Sequence, residues 1–525
     1  MFRIEFIKLK GHPQLGTLSL DLSDNLEYIK NDFPYTSVII GSNGTGKSFI
    51  LKTIAEIFRQ FQEFSISGKK EFNLPYSIHL RYKYYHNTYE IVTRNFLDLV
   101  IKGGRKEYLY FKNRPLNIPF IEDSGWEKIT GYEVLHRELE YPSKLLVNSI
   151  MNNDRLVFKS TQQTKFYQYL GARSTSSTSS TKSSVRRTIT HIFNATSNND
   201  VFINNLKDLL TFLHFEKSFK VVYKTKINKL FFSQELTVEN FKKYFEEWWD
   251  DDFKFTNRSK ENPLWSIPYY NNHFKNNSSE LEKIVSYLNF LPLRKNIFYD
   301  KLKSSSKIIE IDLFDSEIDQ EDLYFLKHLE NLDIINLEGI NINKSNKNLS
   351  ISEVSSGEYH LLISLIGIFA NISDDSLVLI DEPEISLHPN WQMKYISFLK
   401  KVFSKYSSCH FILTTHSHFL ISDLEDKSSY LTGLKREENI LKTVDIDKNT
   451  FGWSAEEVLY KIFDVRTTRN HYLEMDLREL LSLISQKSED KGQIYILTER
   501  LRQVQLDKND PLRLIIEQAT NYLQQ

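Results

Sequence analysis

GSNGTGKS, running from Gly41 to Ser48, lies between a short apolar run and a longer helical one. It fits the phosphate-binding pattern GxxxxGK followed by Ser or Thr, which has mechanical meaning only between a strand and a helix. Both neighbours are present. Ser37-Val38-Ile39-Ile40 reads as a buried strand, and Phe49 to Phe58 carries apolar residues at helical spacing. Glycines let the backbone turn tightly, so that several N–H groups face one concavity at a helix N-terminus. Gly41, Asn43, Gly44, Thr45 and Gly46 are expected to form that cradle. Lys47 is expected to reach the β- and γ-phosphates, and the Ser48 hydroxyl to join a magnesium shell. The expected ligand is therefore a nucleoside triphosphate, ATP with Mg2+.

A chain of 525 residues is long enough for roughly two to four domains around a large core. Hydrophobic residues at 40% and charged residues at 26% are ordinary for a globular protein. Lys and Arg number 67 against 68 Asp and Glu, a net charge of −1, so any nucleic-acid contact has to come from a local basic patch. Cys409 is the one cysteine, which excludes a disulfide framework and a Cys-based zinc site and suits a reducing cytosol. The opening MFRIEFIKLK lacks a signal-peptide core. The longest apolar run, Leu361 to Ile372, is too short for a bilayer. The expected location is the cytoplasm, with no membrane partner.

Residues 1–30 read as a β-hairpin turning at Gly11-His12-Pro13, and Ser77 to about Phe120 as an antiparallel sheet. Leu145-Leu146-Val147 is a further apolar strand. Residues 174–184, STSSTSSTKSS, have the low-complexity composition of a mobile loop. From 186 to about 300 the pattern is mainly helical, and from Asp322 α/β character returns. Residues 452–525 read as a helical appendix that opens with a capping box, Ser454 facing Glu457, and ends in a helix started by Pro511. No a/d heptad persists over several turns, which argues against a long coiled-coil arm.

Ser376-Leu377-Val378-Leu379-Ile380 is another buried strand, and it delivers two adjacent carboxylates, Asp381 and Glu382, to its end. That arrangement matches the second motif of P-loop nucleotidases. Asp381 is expected in the magnesium shell, and Glu382 as the general base that polarises the attacking water. Upstream, Val354-Ser355-Ser356-Gly357-Glu358 precedes an apolar helix from Tyr359 to Ala370, with Ser355 26 residues before Asp381. Downstream, the strand Phe411 to Thr415 ends in His416, 34 residues after Glu382.

In order and spacing, these four motifs resemble those of ABC-type ATPases. The resemblance implies that Ser355, Ser356, Gly357 and Glu358 form the signature. In that family the signature amides bind the γ-phosphate held by the other subunit, with the helix end acting as about half a positive charge. It also implies that His416 is the switch histidine, which contacts the γ-phosphate and the attacking water. DEPEISLHP from Asp381 with TTHS from Thr414 is similar to the RecF/OLD-like branch, soluble ATPases tied to DNA repair and phage defence. His388 stands where transporters carry an aspartate. Tyr169-Leu170-Gly171 and GWSAEEVLYKIF, Gly452 to Phe463, resemble the ATPase subunits of two-gene defence systems such as Septu. For the Q-loop residue, Asn148, Asn152 and Asp154 are the positional candidates.

The implied fold class is α/β: a P-loop NTPase with an ABC-type ATPase head, an antiparallel β subdomain and a helical insertion. The expected division is an N-terminal lobe at 1–175, an insertion at 176–320, a C-terminal lobe at 321–450 and an appendix at 451–525. The resemblance implies a homodimer that sandwiches two ATP molecules, with higher oligomers left open. The leading reading is a sensor or regulator of a separately encoded nuclease or toxin in bacterial anti-phage defence. The alternative is a RecF-like DNA-repair ATPase; a transporter subunit is disfavoured by the long central segment and the LHP loop. A Toprim nuclease needs a strand-end Glu-Gly before its DxD, and Asp445-Ile446-Asp447 has none after residue 416. Nuclease activity is therefore expected in a partner. DNA contact has two candidate segments: Lys217, Lys220, Lys224, Lys226 and Lys229 around Phe219 and Tyr223, and Lys182, Arg186 and Arg187. Against it stands the commoner role of a charge run as a solvated face.

Overall fold

The computed structural model describes residues 1–24, 32–67, 74–94, 98–103, 106–111, 127–129, 140–151, 154, 156, 165–173, 181–196, 200–226, 235–246, 266–300, 307–315, 318–422, 424, 428–438, 440–444, 446, 453–461, 470–486, 488–504, 506 and 510–524. Contacts divide the chain into Met1–Gly452 and Trp453–Gln525.

The first unit is organised by a seven-stranded sheet. Its order is Tyr167–Tyr169, Leu145–Ser149, Leu377–Asp381, His410–Thr415, Tyr35–Gly41, Ser429–Glu437 and Ile440–Val444. All neighbours run parallel except the last pair. The inner strands Leu145–Ser149, Leu377–Asp381, His410–Thr415 and Tyr35–Gly41 are buried along their whole length because both faces are covered. Register puts Asp381 beside Thr414, and Thr414 beside Ile39, so three chemically distinct strand ends finish at one level. The crevice beyond such ends is where open α/β sheets hold ligands.

A second seven-stranded sheet is mostly antiparallel. The hairpin Phe2–His12 with Gly16–Asp21 leads into strands from Ser77 to Phe111, and Glu127–Ile129 closes the far edge. Between the sheets lies the helix Lys47–Ser67. Its Leu51, Ile54, Phe58 and Phe61 recur at three- and four-residue spacing and are wholly buried. Phe58 meets Phe2 edge-on at 5.7 Å, which joins the P-loop helix to the hairpin.

The centre of the chain departs from the mainly helical expectation. Helices occur at Thr181–Thr196, Asp200–Phe212, Val238–Glu246, Ser266–His273 and Ser278–Phe290. Between them, Phe219–Thr225 is the middle strand of a five-stranded sheet, flanked by Lys307–Asp312 and Ile335–Lys344 and completed by Phe298–Asp300 and Lys347–Ser350. The segment FKVVYKT alternates, and period two is a strand signal. A boundary at residue 320 would cut through this sheet. Within the serine-rich run, 181–184 start a helix rather than a loop, because Val185, Ile189, Ile192 and Phe193 give it a buried face; 174–180 lie outside the described residues.

The second unit packs helices His471–Ser485, Lys491–Arg502 and Leu512–Gln524 around Leu480, Ile494, Leu497 and Leu501. Ser454 and Glu457 form the expected reciprocal cap, and Pro511 immediately precedes the last helix. Asp445 and Asp447 fall outside the described residues, as do Gly452, Ile462 and Phe463. No helix among the described residues is long and apolar enough to cross a membrane.

Candidate active site

Gly41 ends its strand, and a Cβ there would lie 2.6 Å from the Leu434 carbonyl oxygen, so the loop can leave the sheet only with glycine at that point. Gly44 and Gly46 adopt φ of +81° and +86°, backbone that L side chains rarely take. Thr45 donates its hydroxyl to Ser42 O at 2.8 Å, folding the loop on itself. Asn43 and Gly44 lie on its exposed side.

Lys47 begins the helix and is almost fully buried. Its ammonium donates to the loop carbonyls of Gly41 at 2.9 Å and Ser42 at 3.2 Å, and it faces the His416 ring, 3.0 Å from Nδ1 and 2.9 Å from Nε2. Burial pulls its pKa down to about 8, against the opposing attraction of Glu382, Glu384 and Asp381. His416 Nε2 is 2.8 Å from Glu382 Oε1. With Nε2–H donating to that carboxylate, Nδ1 is left as the acceptor for Lys47. Burial favours a protonated Glu382, but the His416 hydrogen bond and the nearby Lys47 charge outweigh it and hold the carboxyl below its usual range. Glu382 also has φ +48°, left-handed backbone for a non-glycine residue. Such strain costs of order 1–3 kcal/mol and collects at functional sites.

Asp381 ties the P-loop to its neighbour strands. Its Oδ1 accepts from Ser48 Oγ at 3.0 Å and from Thr414 Oγ1 at 2.5 Å, while Oδ2 is buried with no partner. Burial lifts its pKa to about 6. An unpartnered carboxylate oxygen beside a serine hydroxyl is the donor chemistry of a hard divalent cation, so the residues fit magnesium. No group of three or more His, Cys, Asp or Glu among the described residues could hold a metal unaided. Phosphate oxygens and water would complete the shell.

Glu384, Thr414 and Gln392 also bind the site together, although no motif assigns them a role. Glu384 is buried and accepts the His416 backbone N–H at 2.6 Å, fixing the loop that starts at His416. Gln392 accepts from Ser417 Oγ at 2.6 Å and donates to Leu387 O at 2.9 Å, joining that loop to the segment after the acidic strand. The DEPE run and the Thr414-Thr415 pair ahead of His416 were visible signals for the first two; Gln392 had none. Two of the three positional Q-loop candidates have partners within the chain. Asn148 donates to Ser364 O at 3.3 Å, Asp154 is bound in a buried pair with Arg173 and Tyr169, and Asn152 lies outside the described residues.

The signature residues sit at a separate helix start. Ser355 caps the helix Ser356–Asn371 in a reciprocal box with Glu358. Ser356 is the exposed first residue of that helix. At Gly357 a Cβ would overlap the Ser386 carbonyl, so the glycine brings the signature against the loop that follows Glu382. His388 caps the next helix, its Nδ1 accepting from Asn390 N at 3.3 Å.

Four of the eight basic residues are committed within the chain, while Lys217 and Lys224 are exposed. Lys220 pairs with Glu310 at 2.7 Å, Lys226 with Asp333 at 2.6 Å and Arg186 with Glu330 at 3.1 Å. Arg187 donates to the carbonyls of Arg173 and Gly171. Phe219 and Tyr223 are core residues, so stacking on bases is excluded for them. Lys229 lies outside the described residues.

Residues 2–421 match the AAA ATPase domain family. The chain belongs to that family. It is similar to the Septu protein PtuA of Bacillus thuringiensis, 25% identical over 145 residues that make 27% of this chain and 35% of that protein. It is also similar to the Retron Vc95 probable ATPase of Vibrio cholerae serotype O1 biovar El Tor, 27% identical over 197 residues, 34% of this chain and 35% of that protein. The matched part thus spans about a third of the length of these curated relatives. Among solved structures, the SMC head domain from Thermotoga maritima aligns over 85% of this chain and 99% of its own, with 12% identity and a TM-score of 0.36.

Proposed function

We propose that the protein is an ATP-hydrolysing switch of ABC type, which dimerises on ATP and controls a separately encoded nuclease or toxin in anti-phage defence. The reading is carried by one observation: Lys47 and Glu382 both contact His416, at the same strand ends where Ser48 meets Asp381. Without nucleotide, Lys47 spends its protons on its own loop and on His416. Phosphate oxygens are stronger acceptors, so ATP draws the ammonium away and leaves His416 held by Glu382. Glu382, kept ionised, is then the base that accepts a proton from the attacking water. Magnesium, when bound by Asp381 and Ser48, supplies positive charge against the phosphates.

Ser355, Ser356 and Gly357 lie at the start of a helix whose positive end suits an anion. The reading gives them the γ-phosphate bound by a second copy, so turnover is fast only in the closed dimer. The control of an effector rests on similarity to the Septu and retron proteins, and a cytoplasmic location goes with it. The paired lysines and buried aromatics at 219–226 give no support to the DNA-repair alternative.

Two variants test this. Glu382→Gln should accumulate an ATP-bound dimer on size exclusion, with hydrolysis lowered by about 10²–10⁴-fold. Wild-type hydrolysis would remove Glu382 from the role of base. Ser355→Arg should leave ATP binding to the monomer intact and abolish dimer and turnover. Co-purification from the native operon, followed by identification of the bound protein, tests the effector.

A further inference from the structure

Glu358 places a full negative charge in the first turn of the signature helix. If the protein dimerises on ATP as proposed, that helix end meets a second copy's γ-phosphate, and the role assigned to Lys344 rests on that dimer. A helix N-terminus is equivalent to about half a positive charge. An uncompensated carboxylate there would more than cancel it and repel the anion.

The carboxylate is compensated from a distant element. Glu358 Oε1 accepts from Lys344 Nζ at 2.5 Å, and the glutamate side chain is 7% exposed. Lys344 ends the strand Ile335–Lys344 of the five-stranded sheet, where it pairs with Lys347 across a tight turn. Its ammonium also lies 5.0 Å from the centre of the Phe215 ring. The other oxygen, Oε2, accepts from Ser355 N at 3.0 Å and from Ser355 Oγ at 2.8 Å. The Ser355 hydroxyl proton is therefore already donated within the chain. To meet a phosphate, the hydroxyl must turn away from Glu358, which then keeps only the Ser355 backbone N–H and Lys344.

We propose that Lys344 is a positioning residue for the signature: by holding and neutralising Glu358, it frees Ser355 Oγ and the helix end for the γ-phosphate of a second copy's ATP. The five-stranded sheet thereby acts on the nucleotide interface through one ion pair.

The test is the ATP concentration for half-maximal dimer formation, read by light scattering in the Glu382→Gln background. Lys344→Ala should raise it by about tenfold or more, the scale of one hydrogen bond to a charged group. Nucleotide affinity of the monomer should not change. Lys344→Met, which keeps the stem packed on Phe215, should behave alike if the alanine variant folds poorly. Adding Glu358→Gln to either variant removes the stranded charge and should recover the dimer to within about threefold of the parent. A lost packing contact would not be recovered in this way. The inference is overturned if the Lys344 variants dimerise at the parent's ATP concentration, or if the double variants are no better than the single ones. If Ser355→Arg itself still dimerises, the trans reading fails; if Ser355→Arg blocks and the Lys344 variants do not, only the role of Lys344 fails.

Discussion

Asp381→Asn separates what the fold tolerates from what the site requires. Burial raises the Asp381 pKa from 3.8 to about 6 in the folded, nucleotide-free protein. A raised folded pKa means that the native state binds the proton more tightly than the unfolded chain. The stability belonging to the protonated form is therefore full below about pH 3.8 and is lost as pH rises through about 6. At about 1.36 kcal/mol per unit, the ionised carboxylate costs the empty site about 3 kcal/mol at pH 7.5. Asparagine cannot ionise and keeps an acceptor at Oδ1 for Ser48 and Thr414. Its NH₂ replaces the partnerless Oδ2, an unmet donor that costs about 1–2 kcal/mol. The variant should thus be about 1–2 kcal/mol more stable than wild type at pH 7.5 without nucleotide, and that advantage should vanish near pH 4.5. Magnesium and ATP should narrow or reverse the gap, because wild type keeps the carboxylate for magnesium and gains more binding energy, about 2.7 kcal/mol at a hundredfold excess over its Kd. Urea unfolding at both pH values, with and without magnesium ATP, reads all four quantities. A variant less stable than wild type at pH 7.5 without ligand, or an equal gain at both pH values, would refute the reasoning.

Other perturbations probe separate joints of the site. Gly357→Ala should push the Ser386 carbonyl away, with about 1–3 kcal/mol lost in urea unfolding and a further loss of ATP-driven dimer. Arg173→Met should leave Asp154 as a buried unpaired charge and lower stability by about 3–5 kcal/mol, while Arg173→Met with Asp154→Asn should recover much of it. Gln392→Ala should lower kcat for ATP about tenfold with KM unchanged, because it cuts the link between Ser417 and Leu387 without touching nucleotide.

The parts of the site that could be read in advance are those whose chemistry is contiguous in the chain. Gly41 to Ser48 carries strand, turn, cation and hydroxyl in one run, and Asp381 and Glu382 are consecutive. The capping box at Ser355 and Glu358 is likewise a local pattern. What escaped depends on partners brought together by folding. Lys344 reaches Glu358 only because a hairpin returns the chain to the signature helix. Arg173 meets Asp154 through the pairing of Tyr167–Tyr169 with Leu145–Val147. At Phe219–Thr225 the lysines drew notice as charge, although their alternation with buried Phe219, Val221 and Tyr223 describes a strand in the middle of a sheet. The left-handed backbone of Glu382 has no signature in residue type at all.

The fit of Gly357 against Ser386 bears on timing. In the proposed dimer each chain handles two nucleotides, one in its own P-loop and one at its signature. The segment from Glu382 to His388 belongs to the first site, yet its carbonyl at Ser386 rests on the glycine of the second. Any shift of the signature on meeting a partner's phosphate must move that carbonyl, and with it the strained peptide at Glu382. The two pockets of the pair are then mechanically in series. They should fire with positive cooperativity in ATP, and a dimer with one dead signature should be slow at both pockets.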